Sequence, residues 1–346
     1  MRKTFYKINI RQFDDPVVTD YINRTTDTTA TTGNDLSTEV RTYYDRTLLE
    51  NAQPNLVHDQ FAQQRPIPQN AGQTIDFTRF DKAKPLPSKA LLQEGITPNG
   101  MKLNTRHIAT PLRQYGAYYE LSDWLDLTSP HKMMTEVARN LGDHAGETLD
   151  TVTREAVMAG TNAYYGDGTV NARASITAAM GPTKAGFRKC RNILSRADAK
   201  PFEGGKYVAI IHPDTWLDMA ESIEDIYKYT ETGMKRVYEG EIGVYFGIRF
   251  VETSRAKIFA SAGSGGRDVY ASLMVGRNAY AVTAVTGRGL ETIAKQLGSG
   301  GTTDPLNQRS TMGWKANKAV TILDETAMVR YEHATSTNLH DDDLAE

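Results

Sequence analysis

The chain carries one cysteine in 346 residues, Cys190, which excludes an internal disulfide and any metal site built from several thiolates. It has no apolar run near the roughly 18 residues that cross a bilayer. Its first residues, MRKTFYKINIRQ, lack the apolar stretch of a secretory signal. No membrane partner is expected, and synthesis in a reducing cytoplasm is. An excess of charge is also missing: 40 Lys and Arg stand against 42 Asp and Glu, a formal net charge of -2. Net charge therefore gives no reason to expect affinity for a phosphate backbone. The seven histidines, His58, His107, His131, His144, His212, His333 and His340, contain no HExxH and no i,i+4 pair, the spacing that would set two imidazoles over one metal on a helix. GSGG occurs at 263–266 and 298–301, but neither copy has the lysine and hydroxyl residue of a phosphate loop or the spacing of a dinucleotide fingerprint. Both read as flexible turns.

What is present is ordinary globular material, 39% apolar and 24% charged, in a chain long enough for two cores. Residues 1–36 are polar and rich in threonine (Thr25, Thr26, Thr28, Thr29, Thr31, Thr32), with little apolar surface to offset the entropy of ordering. Such an arm is expected to be ordered mainly by other subunits. Val40, Tyr43, Tyr44, Leu48, Leu49, Leu56, Val57 and Phe61 predict helix between 36 and 63, interrupted near Pro54 and stopped by Pro66 and Pro68. Ile75 and Phe77 alternate with polar residues and predict a strand over 73–80, and a second extended run covers 102–120. The connection between them, 81–101, holds Pro85, Pro87, Pro98 and Gly100 and is longer than most loops of a compact domain. Its Leu86, Leu91, Leu92 and Ile96 are the expected inter-subunit contacts.

Ser129 and Pro130 make a good N-cap and first helical position, and Met134, Val137, Ala138, Leu141, Ala145, Leu149, Val152 and Ala156 follow at spacings of three and four. They predict one single-faced helix of about thirty residues, about 45 Å long. Beyond Gly166 the pattern turns to an α/β-like core. Phe187, Cys190, Ile193, Leu194 and Ala197 mark a helix face, and YVAIIH at 207–212 a fully buried strand. Trp216, Leu217, Ala220 and Ile223 mark another helix. Ile242, Val244, Phe246, Ile248 and Phe250 read as one face of a single strand, and further strands are expected at 269–276 and 279–285.

Chemistry is sparse. His212-Pro213-Asp214 can hold an acid/base pair at the end of a buried strand, or Pro213 and Asp214 can simply open the next helix, which is the preferred reading. Cys190, among apolar positions, reads as a small core residue. No catalytic, cofactor or metal site is assigned, and Asp341, Asp342 and Asp343 read as a solvated acidic end.

Three segments together carry a resemblance: TYYDRTLLENAQPNLVHDQFAQQRPIPQNAGQTIDFTRF (42–80), YVAIIHPDTWLDM (207–219) and DPLNQRSTMGWKANKAVTILDETAMVRYEHAT (304–335). They resemble the major coat proteins of tailed bacteriophages, podovirus type, with the coat fold shared by tailed phages and herpesviruses. The resemblance implies an α+β fold in which 1–70 is an N-terminal arm, 71–115 an extended loop, 116–165 with 302–335 a peripheral domain containing a spine helix, and 166–301 an axial domain. Residues 336–346 would be a tail. It further implies a structural protein that self-assembles into hexamers and pentamers of an icosahedral shell around double-stranded DNA. Sequence-specific DNA contacts are not part of it. A separate scaffolding protein and a portal would assist assembly, since 1–36 is too short for a built-in scaffold. The protein would be made in the host cytoplasm and end in the virion. Lys82, Lys84 and Lys89 could supply a crosslink of the kind some relatives make, which is not expected here. A nanocompartment shell of the same fold would look alike, and the rival from another class is an α/β enzyme using His212 and Asp214.

Overall fold

The structure is a computed structural model and describes residues 48, 51–52, 56–67, 72–80, 91, 94, 100, 102–130, 133–220, 241–284, 290–300 and 304–337. The expected arm and much of the helix expected before Pro66 therefore lie outside the described residues. In chain order, a short 3-10 helix at His58–Phe61 leads to β1 (Gln63–Gln64), and β2 (Thr74–Phe80) pairs with β3 (Thr105–Pro111). Next come β4 (Arg113–Ser122), α1 (Asp123–Thr128) and the long helix α2 (Met133–Met158). β5 (Ala163–Tyr165), α3 (Lys184–Arg196), β6 (Tyr207–Ile211) and α4 (Pro213–Ala220) follow. Then come β7 (Glu241–Tyr245), β8 (Ile248–Glu252), β9 (Ile258–Phe259) and β10 (Val269–Val275). The last strands are β11 (Tyr280–Ala284), β12 (Leu290–Lys295), β13 (Arg309–Ile322) and β14 (Met328–His333).

The chain divides into two compact units. The smaller takes in 1–48, 117–141 and 292–314, and the larger takes in 49–116, 142–291 and 315–346. In the smaller unit, α1 is capped by the Ser122 hydroxyl, which accepts from the Leu125 amide at 3.3 Å. Beside it the end of β4 runs along the start of β13. A Cβ at Gly313 would come within 2.7 Å of the Tyr118 Cβ, so only glycine allows that approach.

The larger unit is built on a seven-stranded mixed sheet of order β5-β14-β10-β6-β8-β7, with β9 added on β10. At its centre β6 is covered on both faces, which is why that strand is apolar throughout rather than alternating. Tyr207, Ala209 and Ile211 of β6 pack with Phe187, Cys190 and Leu194 of α3. Val208 and Ile210 point the other way, to the cluster that holds Val157 and Met158 from the end of α2. Gly186 lets α3 sit close on this sheet, since a Cβ there would fall onto the Tyr331 hydroxyl.

Where α2 passes through the larger unit its buried side is partly polar. Asp150, Thr153 and Arg154 are buried there, whereas Val152 and Ala156, placed on the core face by spacing alone, are half-buried. The partners come from far along the chain. Lys318 of β13 donates to Asp59 at 2.7 and 2.9 Å and to the Leu149 carbonyl at 2.8 Å. Thr153 donates to Asp59 at 2.6 Å. Asp150 accepts the His58 backbone amide and faces its Nδ1, both at 2.7 Å, and the Tyr280 hydroxyl donates to the His58 carbonyl. At the end of the helix, the Arg330 guanidinium donates to the carbonyls of Met158 and Gly160, the second at 2.9 Å, and its Nε to Glu332 at 2.5 Å. Those are carbonyls that a helix end leaves unpaired.

Several sequence expectations change. Ser129 does not open the long helix: its amide donates to the Leu125 carbonyl as the C-cap of α1, a helix the periodicity did not reveal because it lasts six residues. The segment read as one strand from Ile242 to Phe250 is a hairpin. Phe246 and Gly247 both have positive φ, 51° and 74°, the two-residue turn that matches strand twist, and Phe246 is exposed at the tip. On α4 the buried residues are Thr215 and Met219, while Leu217 is exposed; Ile223 lies outside the described residues.

Removing one member of the Lys318–Asp59 pair should cost more than removing both. Lys318→Ala is expected to lower unfolding free energy by about 3 kcal/mol by stranding a carboxylate. The double variant Lys318→Met/Asp59→Leu should recover at least half of that. A double-mutant cycle by denaturant melts checks it; additive losses would contradict it.

Candidate functional site

His212 and Asp214, the acid/base candidates, are together, but each is occupied with local structure. The Asp214 amide donates to His212 Nδ1 at 3.2 Å, and the same nitrogen lies 3.3 Å from Asp214 Oδ2. Tyr270 donates its hydroxyl to Asp214 at 2.8 Å and meets the His212 ring edge-on with centroids 5.2 Å apart. Pro213 opens α4, so His212 serves as the residue before its first turn. Cys190 is fully buried, and desolvation pushes its thiol up to about 12, leaving no thiolate at neutral pH.

One pair was not legible in the sequence. Ser272 Oγ lies 2.9 Å from His333 Nε2, and His333 Nδ1 lies 3.0 Å from the Ala334 carbonyl. Because a carbonyl only accepts, Nδ1 carries the proton, and Nε2 accepts from the serine. This is the connectivity of a nucleophile and its base, with a main-chain carbonyl in place of the orienting carboxylate. Nothing local signals it, since the partners are 61 residues apart and are joined by the pairing of β10 with β14. Both are buried within the sheet, Ser272 at 1% and His333 at 0% exposure, so no substrate reaches the hydroxyl. Burial lowers His333 to about 4. Among the described residues no three His, Cys, Asp or Glu side chains are grouped to hold a metal. A groove of about 540 Å3 in the larger unit is lined by Thr110, Arg113, Tyr115, Val152, Glu155 and Lys318 among others, and the Lys318 ammonium at its wall is already held by Asp59.

The surface is more informative than the interior. Of the thirteen large apolar side chains that are exposed among the described residues, eight lie in the smaller unit: Tyr118, Tyr119, Trp124, Leu125, Leu127, Ile293, Leu297 and Leu306. Trp124 is 70% exposed and Leu127 80%, at i and i+3 of α1 and so on one side of it. Three more, Phe80, Leu91 and Leu103, belong to the β2–β3 hairpin and its long connection. Leu91 is 75% exposed; Leu86, Leu92 and Ile96 lie outside the described residues. The strand pair is anchored near the end that carries the long connection. Arg79 donates to the Leu323 carbonyl at 2.9 Å and pairs with Asp324, and Phe77 is buried.

The fold has known counterparts. It is similar to the capsid of Ralstonia phage GP4, with a TM-score of 0.66 and 12% identity over 81% of this chain and 89% of that one. The cyanophage Pam1 capsid gives 0.61 and 15% identity over 78% and 87%. The virus-like particle from Pyrococcus furiosus gives 0.51 and 10% over 85% and 99%. At such identities the likeness is one of fold, and it is the tailed-phage capsid fold expected from the sequence. A search of curated proteins finds no match. The sequence profile of the phage capsid proteins, however, matches residues 108–331, from the hairpin strand β3 to β14. A match over more than half of the chain settles the relationship: this protein belongs to the phage capsid protein family.

Proposed function

We propose that the chain is the major subunit of an icosahedral shell, assembling as hexamers and pentamers around double-stranded DNA in the virion. The observation that carries this is the distribution of exposed apolar side chains. One unit and one hairpin display what a lone subunit leaves in water and what neighbouring copies can cover. The connection 81–101 reaches over a neighbour, burying Leu86, Leu91, Leu92 and Ile96 between chains, and the arm 1–36 orders on other subunits. The domain plan of arm 1–70, loop 71–115, peripheral domain 116–165 with 302–335, and axial domain 166–301 belongs to the same reading. A separate scaffolding protein and a portal take part in assembly, which begins in the host cytoplasm. The likeness to the capsids of Ralstonia phage GP4 and cyanophage Pam1, 0.66 and 0.61, is greater than that to the virus-like particle, 0.51, and favours a phage head over another compartment. An enzyme using His212 and Asp214 is not favoured, because both side chains are engaged in capping α4 and holding Tyr270.

Trp124→Asp/Leu127→Asp should give a folded subunit whose melting temperature changes by less than about 3 °C, since neither side chain is buried. Its shell yield should fall at least about tenfold by sedimentation and electron microscopy. Normal shells from this variant would remove the surface argument.

The buried Ser272–His333 pair should reveal itself through pH, not turnover. In the unfolded chain the imidazole titrates near its ordinary 6.5, and in the fold near about 4. The unfolded state therefore binds more protons between these values, and stability falls as pH drops from 6.5 toward 4, by up to about 3 kcal/mol. His333→Gln should flatten that part of the pH–stability curve, and an unchanged slope would contradict it.

A further inference from the structure

The net charge of -2 hides a segregated stretch: residues 168–197 contain no Asp or Glu and six Lys or Arg. One of the six, Arg173, is committed to Glu332 at 2.7 and 2.8 Å. The other five, Lys184, Arg188, Lys189, Arg191 and Arg196, all lie on α3, and among the described residues none is ion-paired with a carboxylate.

The orientation of α3 is fixed. Phe187, Cys190 and Leu194 are buried in the sheet cluster, and Gly186 is pressed against Tyr331, so the helix cannot roll. Arg188, Lys189, Asn192, Ser195 and Arg196 are left on the exposed side. From Lys184 to Arg196 the helix rises about 18 Å, the length of about five base-pair steps. Two of the arginines are also held against rings rather than loose. The Arg188 guanidinium lies 5.4 Å from the Tyr245 ring centroid and 5.0 Å from that of Phe246, and Arg191 is 4.9 Å from Phe246. Stacking a planar guanidinium on a ring restrains it while leaving donors at its edge, the fork that matches phosphate oxygens. Lys189 spends one donor on the Asp167 carbonyl at 3.0 Å. Of the two acids that flank this stretch in sequence, Asp167 and Asp198, the Asp167 carboxylate accepts from the amide and hydroxyl of Thr169.

We infer that the exposed face of α3 binds the phosphodiester backbone of double-stranded DNA without reading sequence, and is the surface the axial domain turns to the packaged genome. This rests on the reading of the chain as a shell subunit around DNA. An acidic peptide is the competing occupant; rigid stacked arginines spread along a straight rod suit a regular row of phosphates better.

The test uses the unassembled full-length subunit and a 30-base-pair duplex of random sequence, titrated by fluorescence anisotropy over a range of salt. Arg188→Gln/Lys189→Gln/Arg196→Gln should reduce the slope of log affinity against log salt by about 2.7, from about 0.9 per phosphate contact, and weaken binding at least about tenfold at low salt. Lys102→Gln/Arg106→Gln/Arg113→Gln, three exposed cations elsewhere, should change affinity by less than about threefold. Should the triple variant not fold, Arg188→Gln and Lys189→Gln singly should each remove about 0.9 from the slope. Equal losses from the two triples, or none from the first, would overturn the inference, as would binding of polyglutamate but not duplex through the same residues. Shell formation is scored in parallel. Shells from the variants with unaltered duplex binding refute only the α3 face, whereas no shells from the unmodified protein refute the shell reading itself.

Discussion

Lys318 holds together three parts of the larger unit that are remote in the chain. Its ammonium has three donors, and all are used: two on the Asp59 carboxylate and one on the Leu149 carbonyl of α2. The segment before β1, the long helix and the returning strand β13 thus meet at one buried charge. Asp150 draws the same segment to the helix a second time through the amide and ring of His58. An ion pair of this kind adds little net stability over a well-packed apolar substitute, but any arrangement that separates the partners strands a buried charge. The contact selects one register of β13 against α2, and the pairing of β13 with β11 along Lys318–Ile322 follows from it.

The elements legible in the sequence were those whose burial follows a simple period. β6 was readable as a continuous apolar run because its sheet is covered on both faces, and α3 because Phe187, Cys190 and Leu194 recur on one side. The second half of α2 was misread for a matching reason. Hydropathy places Val152 and Ala156 inward, whereas Asp150, Thr153 and Arg154 go inward because their partners, at His58, Asp59 and Arg255, are about a hundred residues away and invisible to a local window. Phe246 reads as strand because it continues the alternation of Ile242, Val244, Ile248 and Phe250; the glycine after it carries the better signal, since a positive φ there ends the strand. Of the exposed apolar side chains, Leu91 could be picked out from the length of its loop. Trp124 and Leu127 could not, because nothing in their own sequence distinguishes an exposed tryptophan from a buried one.

The interior holds polar pairs of the kind that chemistry uses. Serine beside histidine and a cysteine at the end of an aromatic cluster are sealed within the sheet and the helix packed on it, and the lysine at the groove wall is spent on Asp59. Such polar groups, satisfied in pairs, specify which strands lie together. The exposed surface instead carries what a soluble monomer would avoid: unburied aromatic and aliphatic side chains in one unit, and an acid-free helix in the other.

The place of β14 in its sheet has a consequence for timing. It lies between β5 and β10, parallel to the first and antiparallel to the second, yet it is translated after every other strand of that sheet. Until it emerges from the ribosome, β5 has no neighbour, the carbonyls at the end of α2 lack Arg330, and the Phe187 ring lacks Tyr331. The larger unit therefore closes only once synthesis has passed residue 333, after the long wait that such non-local pairing imposes. Prematurely terminated chains cannot complete the sheet, so nascent and broken subunits are withheld from any assembly that needs this unit folded.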